Sequence, residues 1–213
     1  MLYEFTKLFG VIYYCFWHAN YQAIMESSEL WPEVIMRSFF TAGTSVATSE
    51  KLFFGSWNRL LNTMFPPDTS FEVVPQFPAV TACEAADFIL LLLIYVNSTP
   101  VFVVEVKPPG NFPSFLKRQE ADLQLRRHFL DISSDMKIPI LHGVSAFGTK
   151  IAFYTYDSES RRLEPRSIAS DPIVLVDTAP KEWWEYDILE QEGANKFREV
   201  VEAVKQMCAN VAM

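Results

Sequence analysis

The sequence predicts an α/β protein with a mixed central β-sheet flanked by helices. Three observations carry this. Two adjacent runs, 87–96 and 101–107, are apolar on both faces, which marks strands in the middle of a sheet. Amphipathic segments at helical spacing precede and follow them. The order of elements is helices, three strands, a helix, two strands and a closing helix, with no internal repeat and no low-complexity tract.

Residues 1–25 and 27–40 read as helices, broken by Glu26-Ser27-Ser28-Glu29. Their aromatic side chains read as core or as an oligomer interface. Ser49-Glu50 opens the next helix, Glu50 to Met64. In it Leu52, Phe53, Trp57, Leu60, Leu61 and Met64 recur on one face. Phe65-Pro66-Pro67-Asp68 ends it. A strand over 71–77 follows, where Pro75 points to a sheet edge. The two buried strands come next, joined through Asn97-Ser98-Thr99-Pro100. A helix spans Ser114 to Leu130, with Phe115, Ala121, Leu125 and Phe129 as its buried stripe. Strands over 138–145 and 150–156 surround a turn at Phe147-Gly148. Residues 157–180 are polar, proline-rich and loop-like. The helix from Glu192 to Met213 carries Phe197, Val200, Val201, Val204 and Met207 on one side.

The 213 residues suit one domain: a helical extension over 1–48, a core over 50–157, and a loop with a closing helix over 158–213. No apolar run reaches the length of a membrane span. Leu8 to Trp17 is too short to cross and lacks the flanks of a signal peptide, so it reads as a core-facing helix. Cys15, Cys83 and Cys208 are scattered and odd in number, which argues for a reducing, intracellular compartment (cytoplasm or nucleus) and against a disulfide framework. No P-loop, dinucleotide fingerprint or serine-hydrolase elbow is present.

The net charge of −8 counts against a general nucleic-acid binder. It is uneven, however. Residues 107–128 hold five basic side chains against two acidic ones.

Charge at the ends of the two buried strands is the chemical signal. Asp87 opens the first, and Glu105 and Lys107 close the second before Pro108-Pro109-Gly110. A charge so placed is costly unless paired or bound to metal. Two carboxylates suit Mg²⁺ or Mn²⁺, and a lysine beside them suits orienting or activating a water. The bland alternatives are an ion pair between Glu105 and Lys107 and a strand-start cap at Asp87. Glu105 and Lys107 share a strand face. Asp87 shares it only if the connection is not tight. Pairing Val96 with Val101 gives Asp87 the wrong parity, while pairing Ile94 with Pro100, or a bulge, gives the right one.

These residues, Ala86-Asp87, then Glu105-Val106-Lys107, then a helix with Gln124, resemble the PD-(D/E)XK nuclease superfamily, the restriction-endonuclease-like fold, over roughly residues 50–157. Trp57-Asn58-Arg59-Leu60-Leu61, Val106-Lys107-Pro108-Pro109 and His142-Gly143-Val144-Ser145-Ala146-Phe147-Gly148 are also similar to a family of uncharacterised fungal proteins. Ala86 stands where the superfamily has Pro, and His128 where several branches have Tyr after the glutamine. The resemblance implies metal-dependent phosphodiester hydrolysis, with DNA a better expectation than RNA. Asp87 and Glu105 would hold Mg²⁺ or Mn²⁺, and Glu50 would add a ligand. Lys107 would act at the attacking water. Gln124 would position water or phosphate, and Lys117, Arg118, Arg126 and Arg127 would meet backbone phosphates. Glu50 also reads as a helix-start acid, and the arginine pair as a solvated helix face. His128 and His142 read as ordinary fold residues. The alternative from another class is a nuclease-like fold that no longer cleaves and serves as a binding or scaffold protein.

Overall fold

A computed structural model describes residues 30–44, 51–76, 90–171, 173–174 and 176–210. The described residues form a mixed α/β structure with a seven-stranded, mostly antiparallel open sheet and four helices. In chain order these are α1 (Glu33–Thr44), α2 (Lys51–Met64), β1 (Phe71–Gln76), β2 (Leu90–Val96), β3 (Thr99–Lys107), α3 (Phe115–Ile132), β4 (Ile140–Phe147), β5 (Lys150–Asp157), β6 (Arg162–Glu164), β7 (Tyr186–Asp187) and α4 (Gln191–Asn210). The expected helix over 1–25, residues 27–29 of the next, Glu50, residue 77, residues 87–89 of the first buried strand and residues 211–213 lie outside the described residues.

The strands run β1-β2-β3-β4-β5-β6 across the sheet, and β7 also pairs with β5. The β3–β4 pair is parallel and the others are antiparallel. A parallel pair needs a long crossover, and α3 supplies it. Every residue of β3 is buried, as its two-sided apolar sequence requires. Pro75 sits in β1 at the sheet edge, where a missing amide costs no ladder bond.

The β2–β3 connection differs from the expected loop. Asn97 and Ser98 both take positive φ, 48° and 62°, and form a tight two-residue turn. Such turns match the twist of paired strands, and asparagine tolerates this backbone region. Thr99 and Pro100 therefore belong to β3. The register begins with Val96 opposite Thr99 and Tyr95 opposite Pro100, then shifts so that Ile94 faces Phe102. Val101 is the extra residue of a bulge. Beyond it Leu91 pairs with Glu105, so odd-numbered β2 positions share the face of Glu105 and Lys107.

Helices cover both faces of the sheet. On the even-numbered face of β3, Phe102 meets Phe65 after α2 and Phe197 of α4, with ring centroids 5.9 and 6.0 Å apart. Trp57 of α2 packs on Phe197 and on Phe39 of α1, and donates from Nε1 to Gly148 O at 2.9 Å. The odd-numbered face carries α3. Gly143 permits its close approach, because a Cβ there would lie 2.6 Å from Phe129 and 2.7 Å from Val103.

Three other boundaries moved for local reasons. Helix α1 starts at Glu33 because Pro32 disfavours helical backbone before it, and its carbonyl accepts the first helical amides instead. The strand expected from 138 starts at Ile140 and runs to Phe147, turning through Gly148 at φ 64°. The segment expected as loop contributes β6, a short hairpin return onto β5. Among the described residues no helix is long and apolar enough to cross a membrane.

Candidate active site

Glu105 and Lys107 stand near the C-terminal end of β3, beneath α3. The strand's period of two puts both on one face, and the sheet supplies their neighbours. Glu105 pairs with Leu91 of β2 and Ser145 of β4, and Ser145 pairs in turn with Ala152 of β5. Glu105 is 0% exposed and Lys107 5%. Such a carboxylate keeps its charge only with compensation close by.

Lys107 gives part of it. Its Nζ lies 2.9 Å from Glu105 Oε1, close enough for an ion pair. The approach lies outside hydrogen-bonding angles, so neither Glu105 oxygen has a hydrogen-bond partner among the described residues. Lys107 instead donates to Gln124 Oε1 of α3. Gln124 Nε2 makes a long contact with Glu120 Oε1 at 3.5 Å, and Lys117 Nζ donates to Glu120 Oε2 at 3.1 Å. The polar chain thus runs from a sealed carboxylate to the half-exposed Lys117 and Glu120 one to two turns up the helix. Ser114 caps this helix, with its hydroxyl accepting from Lys117 N.

Two further groups on this side were not singled out from the sequence. Ser145 is fully buried, and its Oγ has no partner among the described residues. A serine within an apolar strand is a weak signal, and only the parallel register places it beside Glu105. On the β5 side, Tyr154 donates to Asp122 Oδ1 at 2.9 Å, and Arg126 Nε donates to both Asp122 oxygens at 2.9 and 2.8 Å. Burial, then the Asp122 charge, push the Tyr154 phenol well above its ordinary range, and the Glu105 charge adds to the shift. Tyr154 therefore stays a neutral donor, and it feels the field of Glu105.

The four basic residues expected at phosphates separate into two kinds. Arg118 is 2% exposed, and its guanidinium donates to the carbonyls of Ala179 at 2.9 Å, Phe112 at 3.0 Å and Pro113, and to Asp177. Arg126 holds Asp122, donates to Pro165 O at 2.7 Å, and lies over the rings of Tyr154 and Trp183. Both face inward, because the loops after β6 bring carbonyls and a carboxylate to that side of α3. Both tie α3 to these loops. Arg127 is exposed and Lys117 half-exposed.

His128 follows Gln124 by one turn and is half-buried, with Nε2 lacking a partner among the described residues. His142 lies on the opposite sheet face from Glu105, and burial, then the charge of Lys196, lower its pKa. Asp87 and Glu50, the other expected metal ligands, lie outside the described residues. Among the described residues no three His, Cys, Asp or Glu side chains cluster as a metal site.

No family model, no curated protein and no solved structure matches this chain.

Proposed function

We propose that this protein is a metal-dependent nuclease that hydrolyses phosphodiester bonds in DNA or RNA, with Glu105 and Lys107 at its centre. One observation carries the reading: both oxygens of a fully buried carboxylate accept no hydrogen bond among the described residues, beside a lysine. A purely structural buried ion pair is stable only when its remaining lone pairs are satisfied. A carboxylate whose only described partner is the Lys107 ion pair on Oε1 fits a hard divalent cation, Mg²⁺ or Mn²⁺. The element order supports the same reading. Glu105-Val106-Lys107 stands on the third strand and Gln124 on the helix that follows, the order of motifs on which the restriction-endonuclease-like resemblance rests.

In this account Glu105 holds the metal with Asp87, and Glu50 adds a ligand. A bound divalent ion supplies charge stabilisation at the phosphate and a more acidic water. Lys107 places a positive charge at the reacting centre, where it stabilises hydroxide or developing negative charge. Gln124 fixes the lysine by accepting its hydrogen bond, and its amide NH₂ remains a donor toward water or phosphate. Arg127, exposed on α3, is placed to meet a nucleic-acid backbone in this account.

A second reading has its own support. The net charge is −8, and Arg118 and Arg126 are spent inside the protein. Both facts suit a nuclease-like fold that no longer cleaves and serves as a binding or scaffold protein.

Thermal melts of wild type and Glu105→Gln, each with chelator and with Mg²⁺ or Mn²⁺, test the metal assignment. In chelator the variant should melt at an equal or higher temperature, because it removes a charge that is poorly compensated. Wild type should gain stability from metal, and the variant should lose most of that gain. A destabilised variant beside a metal-indifferent wild type would leave only the non-catalytic reading.

A further inference from the structure

The outer surface of α3 carries a stripe that the site does not use. Leu116, Leu123 and Leu130 are 61%, 54% and 62% exposed; the other exposed large apolar side chains described, Val34, Ile168, Ile173 and Val174, lie off this helix. They stand seven residues apart, so they line up along one side of a helix about 27 Å long. That side points away from Ala121, Leu125 and Phe129, which face the sheet. Single exposed leucines are ordinary, but an aligned row on one helix is a contact surface.

We propose that this stripe is the contact between two copies of the chain, with their α3 helices antiparallel about a two-fold axis through Leu123. The charges beside the stripe name the occupant. On one flank, at helix positions one and four after the leucines, lie Lys117, Glu120, Gln124, Arg127 and Asp131. Their signs read plus, minus, neutral, plus, minus. A two-fold axis makes residue i meet j of the second copy while j meets i. Centred on Leu123, it sets Leu116 against Leu130 of the second copy and brings Glu120, three residues before the axis, beside Arg127, four after it. The same opposite-charge pair then forms twice, once on each side of the axis. The other flank is already walled, since Gln119 donates to Val176 O and Arg126 to Pro165 O. A partner therefore reaches the leucines from the charged side. Lys117 already pairs with Glu120 along their own helix, and Arg127 of the second copy joins that pair across the axis.

One helix pair sits at the small end of stable interfaces, which bury about 1,200 Å² or more in total. The dimer is accordingly weak and concentration-dependent. It draws on Arg127, so the dimer and the proposed nucleic-acid contact of that residue compete.

Sedimentation velocity of the full chain from low micromolar to hundreds of micromolar should show a reversible monomer–dimer equilibrium. Leu123→Glu should weaken association at least about tenfold without lowering the melting temperature, since Leu123 is exposed in the monomer. Glu120→Arg and Arg127→Glu should each weaken it, and the two together should restore it. Oxidative cross-linking gives an independent readout, scored against wild type to discount the native cysteines. Leu123→Cys should cross-link to itself. Leu116→Cys should not, but should cross-link to Leu130→Cys in a mixture. A chain that stays monomeric throughout, a charge pair that fails to rescue, or self-cross-linking at 116 as strong as at 123 would each overturn the proposal.

Discussion

Glu105 and Ser145 are paired residues on the parallel strands β3 and β4, and no side-chain oxygen of either takes part in a hydrogen bond among the described residues. Glu105 is compensated on one oxygen by its ion pair with Lys107, while the Ser145 hydroxyl is unsatisfied, at a cost of about 1–3 kcal/mol. In the metal-binding account Ser145 stands beside the metal-holding carboxylate. Ser145→Ala removes the unsatisfied hydroxyl at little cost in volume. It should leave stability in chelator within about 1 kcal/mol of wild type or raise it, and should reduce the stabilisation given by Mg²⁺ or Mn²⁺. Denaturant unfolding with and without metal measures both. A loss in chelator well beyond that range would mean that the hydroxyl has a structural partner.

The basic residues of α3 divide by direction, and so should their variants. Arg118→Met strands three backbone carbonyls and Asp177, and should cost on the order of 2 kcal/mol in urea unfolding. Arg127→Ala should stay within about 0.5 kcal/mol of wild type. It should weaken nucleic-acid binding uniformly across sequences and flatten its salt dependence. Fluorescence anisotropy at two salt concentrations checks this, and unchanged binding in Arg127→Ala would remove that residue from the interface.

His142 ties stability to pH. Burial first and Lys196 second lower its pKa from the ordinary 6.5, so the fold prefers the neutral ring. Its contribution is present above the unfolded value and is lost as pH falls through the folded one. Melting temperature should drop between pH 7 and pH 5, and His142→Gln should flatten part of that drop. An identical pH profile in the variant would show that the ring does not titrate in this window.

The parts of the fold read correctly from the sequence are those with strong local pattern. The two-sided apolar β3, the stripe of α2 and the proline-marked edge strand β1 are each specified by residues in the segment itself. The β2–β3 register was only partly legible. Asn97-Ser98 makes the tight turn that parity alone argues against, and the bulge at Val101 restores the parity one step later. That outcome depends on cross-strand packing, which no single strand encodes. The same holds for the site. Glu105 and Lys107 announce themselves as charges in an apolar run, whereas Ser145 joins them only through a parallel pairing set by a distant strand. Arg118 and Arg126 look like surface cations in sequence, and their inward course is decided by loops some forty to sixty residues further on.

Phosphodiester hydrolysis is the proposed work of the buried Glu105–Lys107 pair. Incubation of purified protein with labelled DNA and RNA, in Mg²⁺, Mn²⁺ or chelator, tests it most directly, with Lys107→Ala alongside. The account predicts metal-dependent cleavage that chelator stops. It also predicts a loss of orders of magnitude in Lys107→Ala, because that change removes charge stabilisation at the reacting centre. No cleavage of either nucleic acid with either metal, or equal cleavage by Lys107→Ala, would contradict it.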